Sequence, residues 1–366
     1  MTEGKRSDSA GEKKRDSVRQ AAAPSKQSAR RGADTRRHLR FAALDLGTNN
    51  CRLLIAAPRG RDVRIVDAFS RIVRLGEGLS QSGVLSNEAM ARTIDALKVC
   101  AEKIERRGVT HMRCIATQAC RGAENGVAFL ETVAAETGLK FDIISTEEEA
   151  RLAVAGCAEL LDPDAAAGLI FDIGGGSTEL SWVRKGAGEN TADIATWTSL
   201  PFGVVSLAEK WGGREINAQT YAAIVSTVRR EIVRVGDPAG MKAIFEADDA
   251  HLLGTSGTVT SIAGVHLGLR RYRRDVVDGI LLSATEARRV TEKLRSKSFE
   301  ERANEPCIGV ERADLVVCGC AILDALLLEW PSSRIRVADR GLREGILADL
   351  ALKARKERRR RARSKS

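Results

Sequence analysis

Four carboxylates and two glycine-bearing turns are the residues of this 366-residue chain whose types and spacing best fit phosphate chemistry. Asp172 and Glu179 flank a run of three glycines and a serine, Asp45 precedes a second polar turn, and Glu149 ends an acidic run. A carboxylate can orient and deprotonate water, and successive backbone N–H groups can form a concave nest for an anion. The pattern predicts attack of water on a bound phosphate, and the alternative is a tight hairpin that holds no ligand.

The glycine run is not the phosphate loop of a dinucleotide-binding or Walker-type protein. Both of those loops open an α-helix, whereas Gly176 is followed by STELSWVR, in which apolar and polar residues largely alternate as in a strand. No G-x-x-x-x-G-K-[ST] pattern occurs in the sequence. The turn therefore joins two strands.

The segment around the glycine run has a twin near the start of the chain. FAALDLGTNNCRLLIA (Phe41–Ala56) aligns without gaps on GLIFDIGGGSTELSWV (Gly168–Val183), which places Asp45 on Asp172. A second pair, RCIATQACRGAENG and HLLGTSGTVTSIAG, runs in each case from an apolar strand through a threonine-containing loop into a helical pattern. These repeats predict an α/β fold of the actin-like type, with two duplicated ribonuclease H-like lobes facing each other across a cleft.

Three loops supply the predicted phosphate-binding residues. Two of them are the hairpin turns. The third loop, residues 254–258, opens a helix, whose first N–H groups add a further anion site. The residues are Gly47, Thr48, Asn49, Gly174, Gly175, Gly176, Ser177, Gly254, Thr255, Ser256, Gly257 and Thr258.

Charge divides the chain into a folded part and two basic ends. Residues 1–40 carry twelve Lys and Arg against five Asp and Glu, and residues 353–366 carry nine against one, so the folded part is acidic within a net charge of +10. Both ends are poor in large apolar residues and are predicted to be disordered. We expect lobes at 41–165 and 166–352. The tails are expected to bind RNA or polyphosphate by counterion release, or to serve only as solvated tails.

Other features of the composition exclude several classes of protein. Eight cysteines without a C-x-x-C pair and without a signal peptide favour reduced thiols and a cytoplasmic location. The most apolar segment, VVCGCAILDALLLEW, is too short to span a bilayer and predicts a buried helix. The four histidines form no cluster, and no nucleophile motif of the Asp-x-Asp-x-Thr type occurs. Water is therefore the simplest nucleophile.

Six motifs give the sequence a specific resemblance from about Phe41 to Leu350. They are TQACR, EEEARL, DIGGGSTEL, SLPFGVVSL, LGTSGTVTSIA and GLREGIL. Their order and approximate spacing resemble those of the exopolyphosphatase and guanosine pentaphosphate phosphohydrolase family, of the Ppx/GppA type. The sequence ends soon after GLREGILADLALKARK, so it resembles a short member without the C-terminal histidine-aspartate-type domain.

The resemblance implies roles for the candidate residues. Glu149 corresponds to the general base, Arg121 to a phosphate-contacting cation, and Asp172 and Glu179 to a pair that holds metal and water, with Asp45 beside them. Mg²⁺ or another divalent cation is the implied cofactor. From the residues alone, the acidic run is typical of a capped helix N-terminus, and Arg121 is more typical of an ordinary surface arginine. Thr48 and Asn50 stand where the family commonly has serine, and of the two only Thr48 keeps a hydroxyl group.

Several functions stay open at this point. The favoured one is hydrolysis of the terminal phosphoanhydride of inorganic polyphosphate, and the runner-up is removal of the 5′ terminal phosphate of guanosine pentaphosphate (pppGpp). An ATP-dependent kinase of the same fold and a non-catalytic polyphosphate or alarmone sensor tethered by its tails are the rivals. The sequence predicts no membrane partner and leaves a homodimer open.

Overall fold

The computed structural model describes residues 39–60, 62–185 and 192–364, which form an α/β protein with two mixed sheets. The strands are β1 (Phe41–Leu46), β2 (Asn50–Arg59), β3 (Asp62–Ile72), β4 (His111–Ala116), β5 (Phe141–Ile143), β6 (Ala167–Ile173), β7 (Thr178–Lys185), β8 (Ala192–Leu200), β9 (Ala250–Thr255), β10 (Leu281–Ser283) and β11 (Arg334–Ala338).

Helices cover the faces of both sheets. They are α1 (Leu79–Ser82), α2 (Asn87–Arg106), α3 (Gln118–Gly122), α4 (Gly126–Thr137), α5 (Thr146–Cys157), α6 (Val204–Trp211), α7 (Ala218–Val235), α8 (Lys242–Glu246), α9 (Gly257–His266), α10 (Arg274–Val277), α11 (Ala284–Arg295), α12 (Phe299–Ala303), α13 (Val316–Glu329) and α14 (Leu342–Arg363). The apolar segment predicted to be a buried helix is α13.

The two sheets repeat one topology. The first has the order β3-β2-β1-β4-β5, and the second has β8-β7-β6-β9-β11 with β10 added at its edge. In each, an antiparallel hairpin (β1–β2 or β6–β7) is extended on its first strand by parallel partners. The predicted α/β fold with duplicated lobes is confirmed. The proposed boundary at 165/166 lies in the loop that precedes β6.

The first strand of each lobe is buried on both faces, which explains its nearly continuous apolar sequence. In β1, Ala42, Leu44 and Leu46 join a cluster with α2 and α4. Phe41 and Ala43 point to the opposite face, where they pack with α5 and α14. The alternation of side chains along a strand thus assigns each face its own helical layer.

Helix α5 lies between the two sheets. Its Leu152 packs in the cluster that contains Phe41 of β1. Its Val154 and Cys157 pack with Ile170 of β6. The N-terminal end of α5, which carries the acidic run, is therefore placed between the lobes by apolar contacts to both.

Helix α14 returns from the second sheet to the first. Ile346, Leu347 and Ala351 are buried against β1 and α5. It crosses α5 at glycines. A methyl group added at Gly156 would lie 1.9 Å from the Gly341 carbonyl oxygen, and one added at Gly345 would lie 2.1 Å from that of Leu152.

The disorder predicted for residues 353–366 is wrong for 353–363, because α14 continues to Arg363. Ala351 and Ala354 of α14 are buried in the core. The helix is therefore already formed where the basic segment begins, and the segment extends it without a new nucleation step. Lys and Arg are good helix formers, and cations favour a helix C-terminus. Residues 1–38, on which most of the other tail prediction rests, lie outside the described residues.

We expect Gly345→Ala to destabilise the protein by about 2 kcal/mol, because the added methyl group must push α5 away from α14. Alanine is intrinsically better than glycine in a helix by about 1 kcal/mol, so a stabilised variant would show that the crossing is not tight. Urea unfolding measures the change. Lys353→Ala on the exposed side of the same helix is the control and should shift stability by less than about 0.5 kcal/mol.

Polar contacts outside α5 and α14 also join the two lobes. The guanidinium of Arg74, which follows β3, makes a bidentate ion pair with Asp314, with N–O distances of 2.9 and 3.0 Å. The backbone N–H of Gly78 donates to a carboxylate oxygen of Glu209 on α6 at 2.7 Å. The lobes are thereby held together beside the cleft.

Candidate active site

A cavity of about 1030 Å³ lies between the lobes. The two hairpin turns, the loop between β9 and α9 and the start of α14 all contribute to its lining. Among the predicted site residues, those that line it are Asp45, Gly47, Thr48, Asn49, Glu149, Asp172, Gly174, Gly175, Gly176, Ser177, Glu179, Thr255, Ser256, Gly257 and Thr258. Nearly the whole predicted set is brought to one place.

The tips of the two hairpins touch. Each turn is closed by one backbone hydrogen bond of 2.9 Å, from Gly47 N–H to the Asn50 oxygen and from Gly174 N–H to the Ser177 oxygen. A methyl group added at Gly175 would lie 3.0 Å from Thr48 Cβ and 3.2 Å from Asn49 N. A side chain at position 175 would therefore press against the opposite turn.

The carboxylates of the second lobe face each other across its hairpin. Asp172 of β6 is the cross-strand partner of Glu179 of β7. Glu179 is buried, and it accepts a hydrogen bond of 2.9 Å from Ser199 Oγ. In the first lobe the equivalent partner of Asp45 is Arg52. The two hairpins thus present opposite charges at equivalent positions.

Burial raises the pKa of every carboxyl group in the cluster. For Asp172 the pKa rises to about 7, first because of burial and then because of the negative charge of Glu179. The pKa of Glu149 is raised well above its usual range by burial and by Glu179. Burial also raises the pKa of Asp45, against the opposing effect of Arg52. A cation bound among these groups would relieve the repulsion.

Glu149 is positioned by a helix cap and by an arginine. Ser145 caps α5, its Oγ accepting from the Glu148 N–H at 3.2 Å, and Glu149 lies in the first turn. One oxygen of Glu149 accepts from both terminal nitrogens of Arg121, at 3.1 and 3.2 Å. The predicted cap and the predicted site residue therefore occupy the same turn.

Arg121 does not line the cavity. Besides Glu149, its guanidinium donates to the Ile144 carbonyl at 2.7 Å and to Gln118 Oε1 at 2.9 Å. These contacts hold it as the partner of Glu149, so direct contact with a phosphate stays a prediction. Gly254 is also absent from the lining, because it lies in β9, where an added methyl group would meet the Phe171 ring at 2.4 Å.

Six arginines that the sequence analysis did not assign line the cavity, and three of them bear on phosphate binding. Arg52 lies in β2, Arg312 precedes α13, and Arg343 lies in the first turn of α14. A methyl group added at Gly257, at the start of α9, would lie 3.9 Å from guanidinium nitrogens of both Arg52 and Arg312. The alignment of the two hairpins placed Arg52 on Glu179, and GLREGIL contains Arg343, but neither signal pointed to a role.

Ser256 lies at the end of the cavity where α9 begins, and it adds a further group that can bind an anion. It adopts the left-handed region with φ of 96°, and its buried hydroxyl has no hydrogen-bond partner among the described residues. The residue immediately precedes α9, whose first N–H groups face no intrahelical acceptor. An orphaned hydroxyl, a helix N-terminus and two guanidinium groups fit the oxygens of a phosphate.

The donor set fits a magnesium ion that is shared with substrate. In the described part of the chain, no three His, Cys, Asp or Glu side chains are grouped closely enough to hold a metal by themselves. Mg²⁺ is usually held by one or two carboxylates, with water and phosphate oxygens completing its shell. The facing pair Asp172 and Glu179 provides such carboxylates.

We expect Gly175→Val to raise KM and lower kcat together, because the added side chain separates the two turns and restricts the backbone that approaches a phosphate. Initial rates of phosphate release measure both constants. Gly122→Val is the control, since its β-carbon would meet only the Gln118 amide nitrogen, at 3.4 Å. A folded Gly175→Val protein with normal kinetics would mean that the turns hold no anion.

The chain is similar to a known protein family and to several solved structures. A model of the Ppx/GppA phosphatase family matches residues 54–354. The crystal structure of the Aquifex aeolicus member of that family is 27% identical with a TM-score of 0.71, covering 86% of this chain and 98% of that one. A structure described as an exopolyphosphatase-like protein is also 27% identical, with a TM-score of 0.74 and coverage of 85% and 97%.

A third structure supports the fold. The exopolyphosphatase from Cytophaga hutchinsonii is 23% identical with a TM-score of 0.77, covering 85% of this chain and 97% of that one.

No helix among the described residues is long and apolar enough to cross a membrane.

Proposed function

Because the chain belongs to the Ppx/GppA phosphatase family, we propose that it hydrolyses the terminal phosphoanhydride bond of inorganic polyphosphate by direct attack of water. Family membership supports phosphoanhydride hydrolysis as the class of reaction. The observation that carries the proposal is the convergence of Glu149, Asp172 and Glu179 on the two touching turns.

In the proposed reaction Glu149 accepts a proton from the attacking water. The oxygen of water forms a bond to the terminal phosphorus as the bridging P–O bond breaks, giving phosphate and a chain shorter by one unit. A base is most effective when its pKa lies near the working pH, and burial raises that of Glu149 in this direction. The two hydrogen bonds from Arg121 fix the orientation of the carboxylate.

The turns and the arginines are proposed to hold the phosphates. Backbone N–H groups of the glycine run would bind oxygens of the terminal phosphoryl group. Arg52 and Arg312, beside the start of α9, would stabilise the departing chain, because charge develops on its terminal oxygen as the bond breaks.

Mg²⁺ is the proposed cofactor. Asp172 and Glu179 would hold it, with Asp45 facing the same cavity. When bound, the ion neutralises phosphate oxygens and increases the electrophilicity of phosphorus.

One observation favours pppGpp as a second candidate substrate. The Phe69 ring of β3 lines the same cavity, with the Arg71 guanidinium 5.3 Å from its centroid. An aromatic ring can stack on a nucleobase, whereas polyphosphate has no group that would use it.

Phosphate release should be measured side by side on long polyphosphate, tripolyphosphate, pppGpp and ATP, with Mg²⁺ and with a chelator. We expect metal-dependent release, fastest from polyphosphate. A preference for pppGpp that is lost in Phe69→Leu, with polyphosphate turnover unchanged, would favour the second candidate. ATP consumption that requires an added acceptor would indicate a kinase. Tight binding without any turnover would indicate a sensor.

A further inference from the structure

The second half of α14 is a strongly basic helix outside the cavity. Residues 353–363 contain eight Lys and Arg and a single acid, Glu357. The side chains from Lys356 to Arg363 are exposed. Among the described residues, none forms an ion pair with the four consecutive arginines at 358–361. These cations are available to an external anion.

The first lobe extends this surface. Nη2 of Arg355 donates a hydrogen bond of 3.0 Å to the carbonyl oxygen of Gly60, in the turn between β2 and β3. Arg59 and Arg64 flank that turn, and both are exposed. Residues 353–363 together with Arg59 and Arg64 form what we call the basic surface.

The segment is helical in spite of its charge pattern. Like charges four residues apart, as at Arg355 and Arg359 or Lys356 and Arg360, each cost an isolated helix about 0.2–0.5 kcal/mol. A polyanion that lies along the helix would remove this repulsion. Its binding would also release counterions from both partners, which strengthens association at low salt.

The surface fits a chain of phosphates better than a nucleic acid that is read through its bases. No aromatic residue occurs from Asp339 to the end of the sequence, so α14 offers no ring for stacking on bases. Lys and Arg bind phosphate oxygens without any such partner. The basic surface is therefore suited to a polyanion whose charged groups are all alike.

The same helix also connects the basic surface to the cavity. Arg343 and Glu344, in its first turn, line the cavity. Arg361 is 18 residues further on, which is about 27 Å along the helix axis. A polymer whose end lies in the cavity can therefore reach the basic surface, whereas a triphosphate held there cannot.

We propose that the basic surface binds internal phosphates of a long polyphosphate chain while its terminal phosphate lies in the cavity. This rests on the proposed function and adds a second site to it. Simultaneous contact at two linked sites raises affinity for long chains without any new contact in the cavity.

The test removes charge but keeps the helix, since glutamine is nearly as good a helix former as arginine. The test variant is Arg358→Gln, Arg359→Gln, Arg360→Gln and Arg361→Gln combined in the full chain. The control removes the same charge from exposed positions on α2, α7 and α11, and combines Arg106→Gln, Arg230→Gln, Arg288→Gln and Arg289→Gln. Binding of labelled long-chain polyphosphate is measured with a chelator, so that no turnover is needed, over a range of salt concentrations.

We expect the test variant to bind long-chain polyphosphate about tenfold more weakly at low salt, with a shallower dependence on salt, and the control to match the wild type. Hydrolysis of tripolyphosphate should change less than about twofold in both. Equal affinity of the test and control variants for long chains would overturn the proposal. The proposal would also be overturned if the wild-type protein bound a single-stranded RNA of equal phosphate number more tightly than polyphosphate and the test variant lost that binding to RNA.

The two proposals fail separately. A wild-type protein that releases no phosphate but shows the expected difference in binding would contradict the proposed function and leave the basic surface in place. If the wild-type protein hydrolyses polyphosphate normally and the test variant binds long chains as tightly as the wild type, the proposal for the basic surface is contradicted and the proposed function remains.

Discussion

Glu149→Gln is expected to reduce kcat for polyphosphate about 10³- to 10⁴-fold, because the amide cannot accept the proton of the attacking water. Affinity for polyphosphate should stay within about an order of magnitude, since a base contributes little to binding of the ground state. The amide oxygen can still accept the hydrogen bonds that Arg121 donates to Glu149, so the local structure should persist. Single-turnover phosphate release and equilibrium binding separate the two quantities.

The adjacent residue provides the control. Glu148 lies in the same first turn of α5 but makes its ion pair with Arg113, at 2.8 Å, and does not line the cavity. Glu148→Gln should therefore retain nearly full activity. If both variants kept their turnover, the acidic run would serve only to stabilise the N-terminus of α5.

Asp172→Asn is expected to lower activity by at least about 10²-fold and, at the same time, to make the protein more stable at neutral pH. The pKa of Asp172 is raised to about 7 in the folded protein from 3.8, so the folded state binds a proton more tightly than the unfolded state. Its contribution to stability is most favourable below pH 3.8 and is lost as the pH rises through 7. Removal of the charge should recover about 1–3 kcal/mol at pH 8, after allowance for water in the cavity.

Thermal unfolding at pH 5 and pH 8, without divalent cations, measures this effect. The gain in melting temperature of Asp172→Asn should be several degrees at pH 8 and smaller at pH 5, where the wild-type carboxyl group is itself protonated. Asp142→Asn, at a largely exposed position in β5, should leave both melting temperatures unchanged. A less stable Asp172→Asn protein at pH 8 would contradict the origin assigned to the raised pKa.

The duplication and the hairpin turns were predictable because they depend on local sequence. Asp45 and Asp172 each stand two residues before a glycine, at the end of an apolar run, and that shared spacing is enough to predict two equivalent turns. The raised pKa values were not predictable, since they depend on burial by elements distant in sequence. The crossing of α5 and α14 at Gly156 and Gly345 likewise requires both helices to be in place.

The arginines of the cavity were missed for a related reason. Arg312 follows no recognisable motif and reaches the start of α9 only because the chain folds back after α12. The helical end of α14 was missed because composition alone predicts disorder for a basic segment, whereas anchoring by Ala351 and Ala354 favours continuation of the helix.

The exchange of charge between the two hairpins has a consequence for direction. Arg52 in one lobe occupies the position that Glu179 occupies in the other. Two identical hairpins would form a symmetric slot, from which a phosphate chain could extend equally well to either side. Linear polyphosphate has no head or tail of its own, so any sense of direction must come from the protein. The exchange makes one side of the slot more acidic, at Glu179, and the other more basic, at Arg52, so under the proposed function the departing part of the chain extends past Arg52 rather than past Glu179.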